Sequence, residues 1–227
     1  MFVPRISIIH ATPLSVQPVA DAFARHWPSA KLMNVLDDSL SSDLARDGVL
    51  TPGMVARFVG LAQYAKTYGA NGILFTCSAF GPAIEEAARH VGLPTLKPNE
   101  SMFDEALSLC AQLPGERTIG LLTTFAPAGK SMVEEMVHVA AQRRQPVGIQ
   151  SACATGAMEI LSAGDPLVHD RMIVEEAASL ADCDVIMLGQ VSMARAQKSV
   201  VDAIGKPVLT SPDSAVRRMK LLLPDSN

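Results

Sequence analysis

The chain has 227 residues, 48% of them hydrophobic and 19% charged, and a formal net charge of −4 at pH 7. That balance describes a filled globular core and excludes a disordered chain. The acidic sign, the 4% aromatic content and the lack of any basic run exclude a nucleic-acid partner. The four cysteines, Cys77, Cys110, Cys153 and Cys183, have no zinc-type spacing and read as reduced cytosolic thiols, with no metal site. The apolar run Ile6 to Ile9 is too short for a signal-peptide core, and no stretch approaches the ~20 apolar residues that span a bilayer. A cytoplasmic protein without a membrane partner is therefore expected.

In chain order, Ile6 to His10 is a short β-rich run followed by the loop Ala11-Thr12-Pro13. Val16, Val19, Ala20, Phe23, Ala24 and Trp27 have helical spacing, and the helix stops at Pro28. Lys31 to Leu36 is a second strand, ending in Asp37-Asp38-Ser39, and residues 40–51 read as loop. Thr51 and Pro52 open a helix as N-cap and first helical residue, with Val55, Phe58, Val59, Ala62 and Ala65 on one face. The apolar run Gly72 to Phe75 is a buried strand ending in Thr76-Cys77-Ser78. Gly81-Pro82 then begins a helix that ends at Gly92. Thr95-Leu96 is a strand and Glu100 to Leu113 a helix. The order then starts again: strand Thr118 to Thr124, helix Lys130 to Gln142, strand Pro146 to Gln150, polar loop Ser151 to Gly156. A helix over Pro166 to Ala181, a strand over Val185 to Leu188, a further helix, the strand Pro207 to Leu209 and a helix from Asp213 to Leu223 close the chain. Alternating strands and helices predict parallel sheets with helices on both faces, of the doubly wound, flavodoxin-like kind.

The second half repeats the first. A constant offset of 113 takes Ile6 to Ile119, Ile73 to Ile186, Ala83 to Ala196, Gly92 to Gly205, Pro94 to Pro207, Leu96 to Leu209 and Ser101 to Ser214, without a gap. The reading is a duplicated α/β fold, 1–114 and 115–227, with the C-terminal helix able to complete the first half. Ligands bind outside the carboxyl ends of the strands in such sheets. Cys77 stands there in the first half and Gln190, at the same offset, in the second. Two halves related by a pseudo-two-fold would point both residues at one cleft.

Thr76-Cys77-Ser78, Gly189-Gln190-Val191, the helix start Gly81-Pro82 and the segment Asn99-Glu100-Ser101 resemble the aspartate/glutamate racemase superfamily, which includes hydantoin racemases, maleate isomerases and arylmalonate decarboxylases. The resemblance covers essentially the whole chain. It implies a cofactor-independent enzyme in which a cysteine from each half exchanges a proton with the carbon next to a carboxylate, one on each face. Here the first cysteine is kept as Cys77 and the second position is Gln190. A carboxamide neither gives nor takes a proton near neutral pH, but its N–H donors can hold a carboxylate or enolate oxygen. Two-thiol racemisation is thereby excluded. Ser78-Ala79 stands where the amino-acid racemases have Asn-Thr, and Val191-Ser192 where they have Thr-His.

Three readings follow: isomerisation or decarboxylation with Cys77 as the single thiol acid/base; Cys77 as a nucleophile on an activated double bond or carbonyl, with a hydrolase the remotest form of that reading; or a small-acid binder without turnover. The favoured one is racemase/isomerase-type proton transfer on a small carboxylate or carbonyl substrate, with a decarboxylase or lyase as the alternative. In a flavodoxin-like strand order, the first and third strands are neighbours, which puts His10 beside Cys77 and suggests that it stabilises the thiolate. Thr12, Asp38, Ser78, Thr123, Thr124 and Ser192 lie at strand ends as candidate substrate contacts, with Ser39 and Ser151 in similar places. Gly129-Lys130-Ser131 lacks the first glycine of a phosphate-binding loop and reads as a helix start. Arg195 reads as a solvated helix arginine. The sequence leaves the substrate and any homo-oligomer open.

Overall fold

In the computed structural model, which describes residues 3–223, strand and helix alternate as the hydrophobic pattern predicts. The first half runs β1 (Arg5–His10), α1 (Val16–His26), β2 (Lys31–Leu36), α2 (Ser39–Asp47), α3 (Pro52–Thr67), β3 (Gly72–Phe75), α4 (Gly81–Val91), β4 (Thr95–Leu96) and α5 (Glu100–Ala111). The second runs β5 (Thr118–Thr123), α6 (Ala126–Gln142), β6 (Gly148–Cys153), α7 (Ala157–Ser162), α8 (Pro166–Ala177), β7 (Val185–Leu188), α9 (Gln197–Ile204), β8 (Val208–Thr210) and α10 (Ser211–Leu222).

Local chemistry sets the boundaries. The Thr51 hydroxyl accepts the Met54 N–H at 3.3 Å and Pro52 takes the first helical position, so α3 starts where the sequence places it. Gly92 and Gly205 end α4 and α9 in the left-handed region, at φ 65° and 68°, which a side chain would strain. The runs Gly72–Phe75 and Val185–Leu188 are buried along their whole length, as central parallel strands covered on both faces must be.

Each half has one four-stranded parallel sheet, in the orders β2-β1-β3-β4 and β6-β5-β7-β8. The registers repeat as well. Ile6 pairs with Gly72 and Ile73 with Thr95; Ile119 pairs with Val185 and Ile186 with Val208, each 113 residues on. The outer ladder breaks the offset. Arg5 pairs with Lys31, but Thr118 pairs with Gly148, so β6 lies four residues later than a gapless repeat requires. The extra chain is taken up by α6, which has 17 residues against 11 in α1.

Several elements differ from the sequence expectation, among them α7 (Ala157–Ser162), where none was expected, and β8, which runs Val208–Thr210 rather than Pro207 to Leu209. Residues 40–51, expected as loop, contain α2: only Leu40 of this Ser/Asp-rich segment is fully buried, so its apolar stripe is too thin to read. The helix is secured from α3, where the Arg57 guanidinium donates to Asp37 and Asp43 at 2.6 Å each. Strand β6 extends to Cys153, so Ser151 belongs to the sheet rather than to a polar loop. Helix α6 begins at Ala126, four residues before the expected start, with Pro127 in its first turn.

Two compact units result, one of the described residues up to Ser101 together with those from Ala215, the other from Met102 to Ser214. The boundaries fall inside α5 and α10, again 113 residues apart. In the first unit the core joins Ile9, Leu40, Phe58, Phe75 and Phe80, with the Phe58 ring 5.3 Å from Phe75 and 4.8 Å from Phe80. In the second, alternate strand residues feed the two faces. Leu121 and Met187 meet α5 and α6 residues such as Phe103 and Met136, while Leu122, Ile186 and Leu188 meet Ile173 of α8 and Val200 of α9. No helix among the described residues is long and apolar enough to cross a membrane.

The contacts around two glycines give a test. A Cβ at Gly189 would lie 2.9 Å from Thr123 Cγ2 and 3.2 Å from the Leu122 carbonyl, in a buried sheet that cannot yield. At Gly72 the nearest atoms, Met219 Sδ at 2.7 Å and Leu223 Cδ1 at 2.9 Å, are ends of flexible side chains. Gly189→Ala should lower stability by about 1–3 kcal/mol, and Gly72→Ala by clearly less; thermal denaturation followed by circular dichroism separates them, and equal melting would refute the comparison.

Candidate active site

The carboxyl ends of β1 and β3 meet in the first half. Thr76 N–H donates to the Ile9 carbonyl at 3.1 Å, carrying the β1–β3 ladder one residue past β3 and fixing where Cys77 emerges. Cys77 precedes the single turn Ser78–Phe80 that leads into α4, and its side chain is half-buried against the apolar core. Burial pushes its thiol pKa above the ordinary 9.0, and the Ala79 amide pulls the other way without reversing it. Burial thus favours the neutral thiol over the thiolate at this strand end.

His10, the last residue of β1, is fully buried. Its Nε2 lies 3.0 Å from Asn34 Oδ1 on the neighbouring strand β2, and its Nδ1 lies 2.8 Å from Ser15 Oγ and 3.2 Å from Thr76 Oγ1. A carboxamide oxygen can only accept, so Nε2 carries the proton, and Nδ1 accepts from a hydroxyl of Ser15 or Thr76. Burial holds the imidazole below its ordinary 6.5, the Asn34 hydrogen bond opposing it only in part. Both nitrogens are thus engaged, and Cys77 is not among their hydrogen-bond partners. The Ser15 and Thr76 hydroxyls are 3.0 Å apart, which closes a four-residue network under the thiol's strand. Sequence reading missed Ser15 and Asn34 and named Thr76 only within the motif around Cys77; a polar Asn34 inside the apolar run Lys31–Leu36 was the available signal.

The second half uses the same geometry with other side chains. Gly189 N–H donates to the Leu122 carbonyl at 2.8 Å, as Thr76 does to Ile9, and Gln190 follows it. The Gln190 Oε1 accepts from the Thr124 N–H at 2.8 Å and from the Thr124 hydroxyl at 3.2 Å. A backbone N–H can only donate, so the amide orientation is fixed with Oε1 toward Thr124. Its Nε2 is buried and has no partner among the described residues, and two residues on the Ser192 Oγ is also buried without one among them.

The other expected contacts are distributed as follows. Thr12 caps the turn Pro13–Ser15, its hydroxyl accepting from Leu14 N–H at 3.4 Å. Asp38 and Ser78 are exposed, at the starts of α2 and of the turn after Cys77. Thr123 is buried at the end of β5, its hydroxyl 3.4 Å from the Ala152 carbonyl. Thr124 is spent on Gln190. Arg195 is not a free cation: its Nε donates to both Asp170 oxygens, at 2.8 and 2.9 Å. Among the described residues, no group of three or more His, Cys, Asp or Glu side chains is arranged to hold a metal ion.

Residues 11–219 match the family model described as Asp/Glu/hydantoin racemase. Solved structures agree on the fold. Glutamate racemase isoform RacE1 from Bacillus anthracis aligns over 97% of this chain and 81% of its own, at 14% identity and a TM-score of 0.67. Glutamate racemase from Francisella tularensis, in complex with D-glutamate, covers the same shares at 12% identity and a TM-score of 0.65. Unliganded arylmalonate decarboxylase aligns over 99% of this chain and 95% of its own, at 18% identity and a TM-score of 0.61. No curated protein matches the chain in sequence.

The buried imidazole makes stability pH-dependent. Its folded pKa lies below the unfolded 6.5, so the unfolded chain binds the proton more readily and stability is lost as pH falls through and below that value. The difference in denaturant midpoint between the wild type and His10→Gln should shrink between about pH 7.5 and about pH 5; a constant difference would show that His10 contributes no protonation linkage.

Proposed function

The chain belongs to the Asp/Glu/hydantoin racemase family, and we propose that it catalyses racemase/isomerase-type proton transfer at a carbon next to a carboxylate or carbonyl of a small acid, with Cys77 as the thiol acid/base and Gln190 as an oxygen-binding donor in place of a second cysteine. The observation that carries this reading is the Gln190 carboxamide. With Oε1 held by Thr124 and Nε2 buried without a partner among the described residues, it offers a desolvated N–H donor that a bound oxygen would satisfy. A carboxylate or enolate oxygen is the chemical complement, and donors fixed in advance stabilise developing charge without reorganisation. Ser192 Oγ is a second unpaired donor on the same turn. Thr124 then acts by positioning Gln190 rather than by touching substrate.

The network of His10, Ser15, Asn34 and Thr76 has the corresponding task in the first half: it fixes the strand end from which Cys77 emerges. Thr12, Thr123, Ser78 and Asp38 remain proposed contacts of weaker warrant, since each already serves as a cap, a sheet hydrogen bond or an exposed loop residue. Proton exchange between a thiol and an activated carbon requires no organic cofactor and no metal.

A decarboxylase is the second reading, and one observation favours it. Burial keeps the Cys77 thiol protonated, which suits a group that delivers a proton to an enediolate left by loss of carbon dioxide better than one that must first remove a proton. Both versions use one thiol and one fixed amide donor.

Incubation with small 2-substituted carboxylic acids in deuterium oxide should give exchange at the α-carbon, and malonate-type acids should release carbon dioxide if the second reading holds. Cys77→Ala should abolish either activity. Gln190→Glu, which keeps an acceptor for Thr124 but removes the donor and adds a repelling charge, should reduce turnover by about 10²–10³-fold. Full activity in Cys77→Ala would end both versions; full activity in Gln190→Glu would end the donor role.

A further inference from the structure

The duplication makes one part of the second half conspicuous by comparison with the first. In the first half, the space between the ends of β1 and β2 and the start of α1 is filled by the His10 imidazole, with Asn34 and Ser15 hydrogen-bonded to it. The ladder registers identify the counterparts: Thr123 ends β5 as His10 ends β1, Ser151 pairs with Leu121 as Asn34 pairs with Ile8, and Ala128 stands at the repeat position of Ser15. An imidazole, a carboxamide and a hydroxyl are thus replaced by two hydroxyls and a methyl group. The volume is not refilled. A cavity of about 410 Å³ opens there, lined by Thr123, Gly129, Lys130, Glu134, Ser151 and Cys153 among others, within the range of small-molecule sites.

The mouth differs in the same way. In the first half Gln17 and Asp21, one turn apart on α1, close on each other, with Nε2 donating to Oδ1 at 2.7 Å. Their repeat positions on α6 are Lys130 and Glu134, both exposed and both lining the cavity. Neither makes an ion pair or a side-chain hydrogen bond with a described residue. The site therefore has one unpaired cation and one unpaired anion among the described residues, the buried Thr123 hydroxyl, the exposed Ser151 hydroxyl and the apolar Val133.

We propose that this cavity is a binding site for a small zwitterion of amino-acid size, its carboxylate on Lys130, its ammonium group on Glu134 and its aliphatic part over Val133, with the Thr123 hydroxyl beneath and the exposed Ser151 hydroxyl at the β6 side. The ligand occupies the volume that the first half fills with its own imidazole. The site lies in the second unit alone and does not depend on the roles of Cys77 and Gln190.

Isothermal titration of the full chain with glycine, L-alanine and γ-aminobutyrate tests it, with acetate and methylammonium as controls that carry one of the two charges each. At least one zwitterion should bind with one-to-one stoichiometry and the controls more weakly. Lys130→Gln and Glu134→Gln, both at exposed positions, should each weaken that binding by roughly three- to tenfold. The double variant Thr123→His with Ser151→Asn should fill the cavity and abolish it, while Cys77→Ala should leave it unchanged. Absence of saturable zwitterion binding, wild-type affinity in both rim variants, or loss of binding in Cys77→Ala would each overturn the proposal. If the double variant does not fold, the two rim variants decide.

Discussion

The pairing of the first and third strands is the constraint on which the rest depends. It ends in one backbone bond per half, Thr76 N–H to the Ile9 carbonyl and Gly189 N–H to the Leu122 carbonyl, at 3.1 and 2.8 Å. Those bonds fix the direction in which the chain leaves each central strand, and so the emergence of Cys77 and Gln190. They also place the last residues of the first strand alongside. His10 thereby reaches Thr76, and Thr124 reaches Gln190. A slip of one residue would turn every side chain to the opposite face and carry Cys77 and Gln190 away from these positions.

On that shared backbone the two halves have diverged in chemistry. The first presents a thiol kept neutral by burial, beside a closed network of imidazole, carboxamide and hydroxyls. The second presents a carboxamide whose acceptor is satisfied and whose donor is not. The proposed mechanism assigns the movement of a proton to the first half and the holding of an oxygen to the second. The same divergence empties the space beneath α6, because Thr123, Ser151 and Ala128 are too small for the volume that His10, Asn34 and Ser15 fill.

Thr124 and Arg195 show how a residue's use is decided by what lies opposite. Thr124 directly follows the end of β5, which makes it a natural substrate contact by position, yet its N–H and hydroxyl both meet Gln190. Arg195 lies just past Gln190, but Asp170 of α8, 25 residues away in sequence, neutralises it. His10 is a third example. Its place beside Cys77 in strand order is legible, but its two nitrogens are taken by Asn34, Ser15 and Thr76, and burial rather than a neighbouring charge governs the thiol.

The sequence by itself determined the duplicated parallel α/β fold and the positions of Cys77 and Gln190, because a four-residue apolar run, a capping Thr-Pro pair or a terminal glycine acts locally, and an offset of 113 needs only counting. It also determined that the repeat position of Cys77 carries a carboxamide, Gln190, which has no titrating proton. The existence of α2 and the four-residue shift of β6 were decided only in three dimensions, where the Arg57 ion pairs and the longer α6 supply what the local pattern lacks. So were the hydrogen-bond partners. Which donor is satisfied and which is left buried and open depends on residues 66 positions apart, as Thr124 and Gln190 are, and no local pattern records that distance.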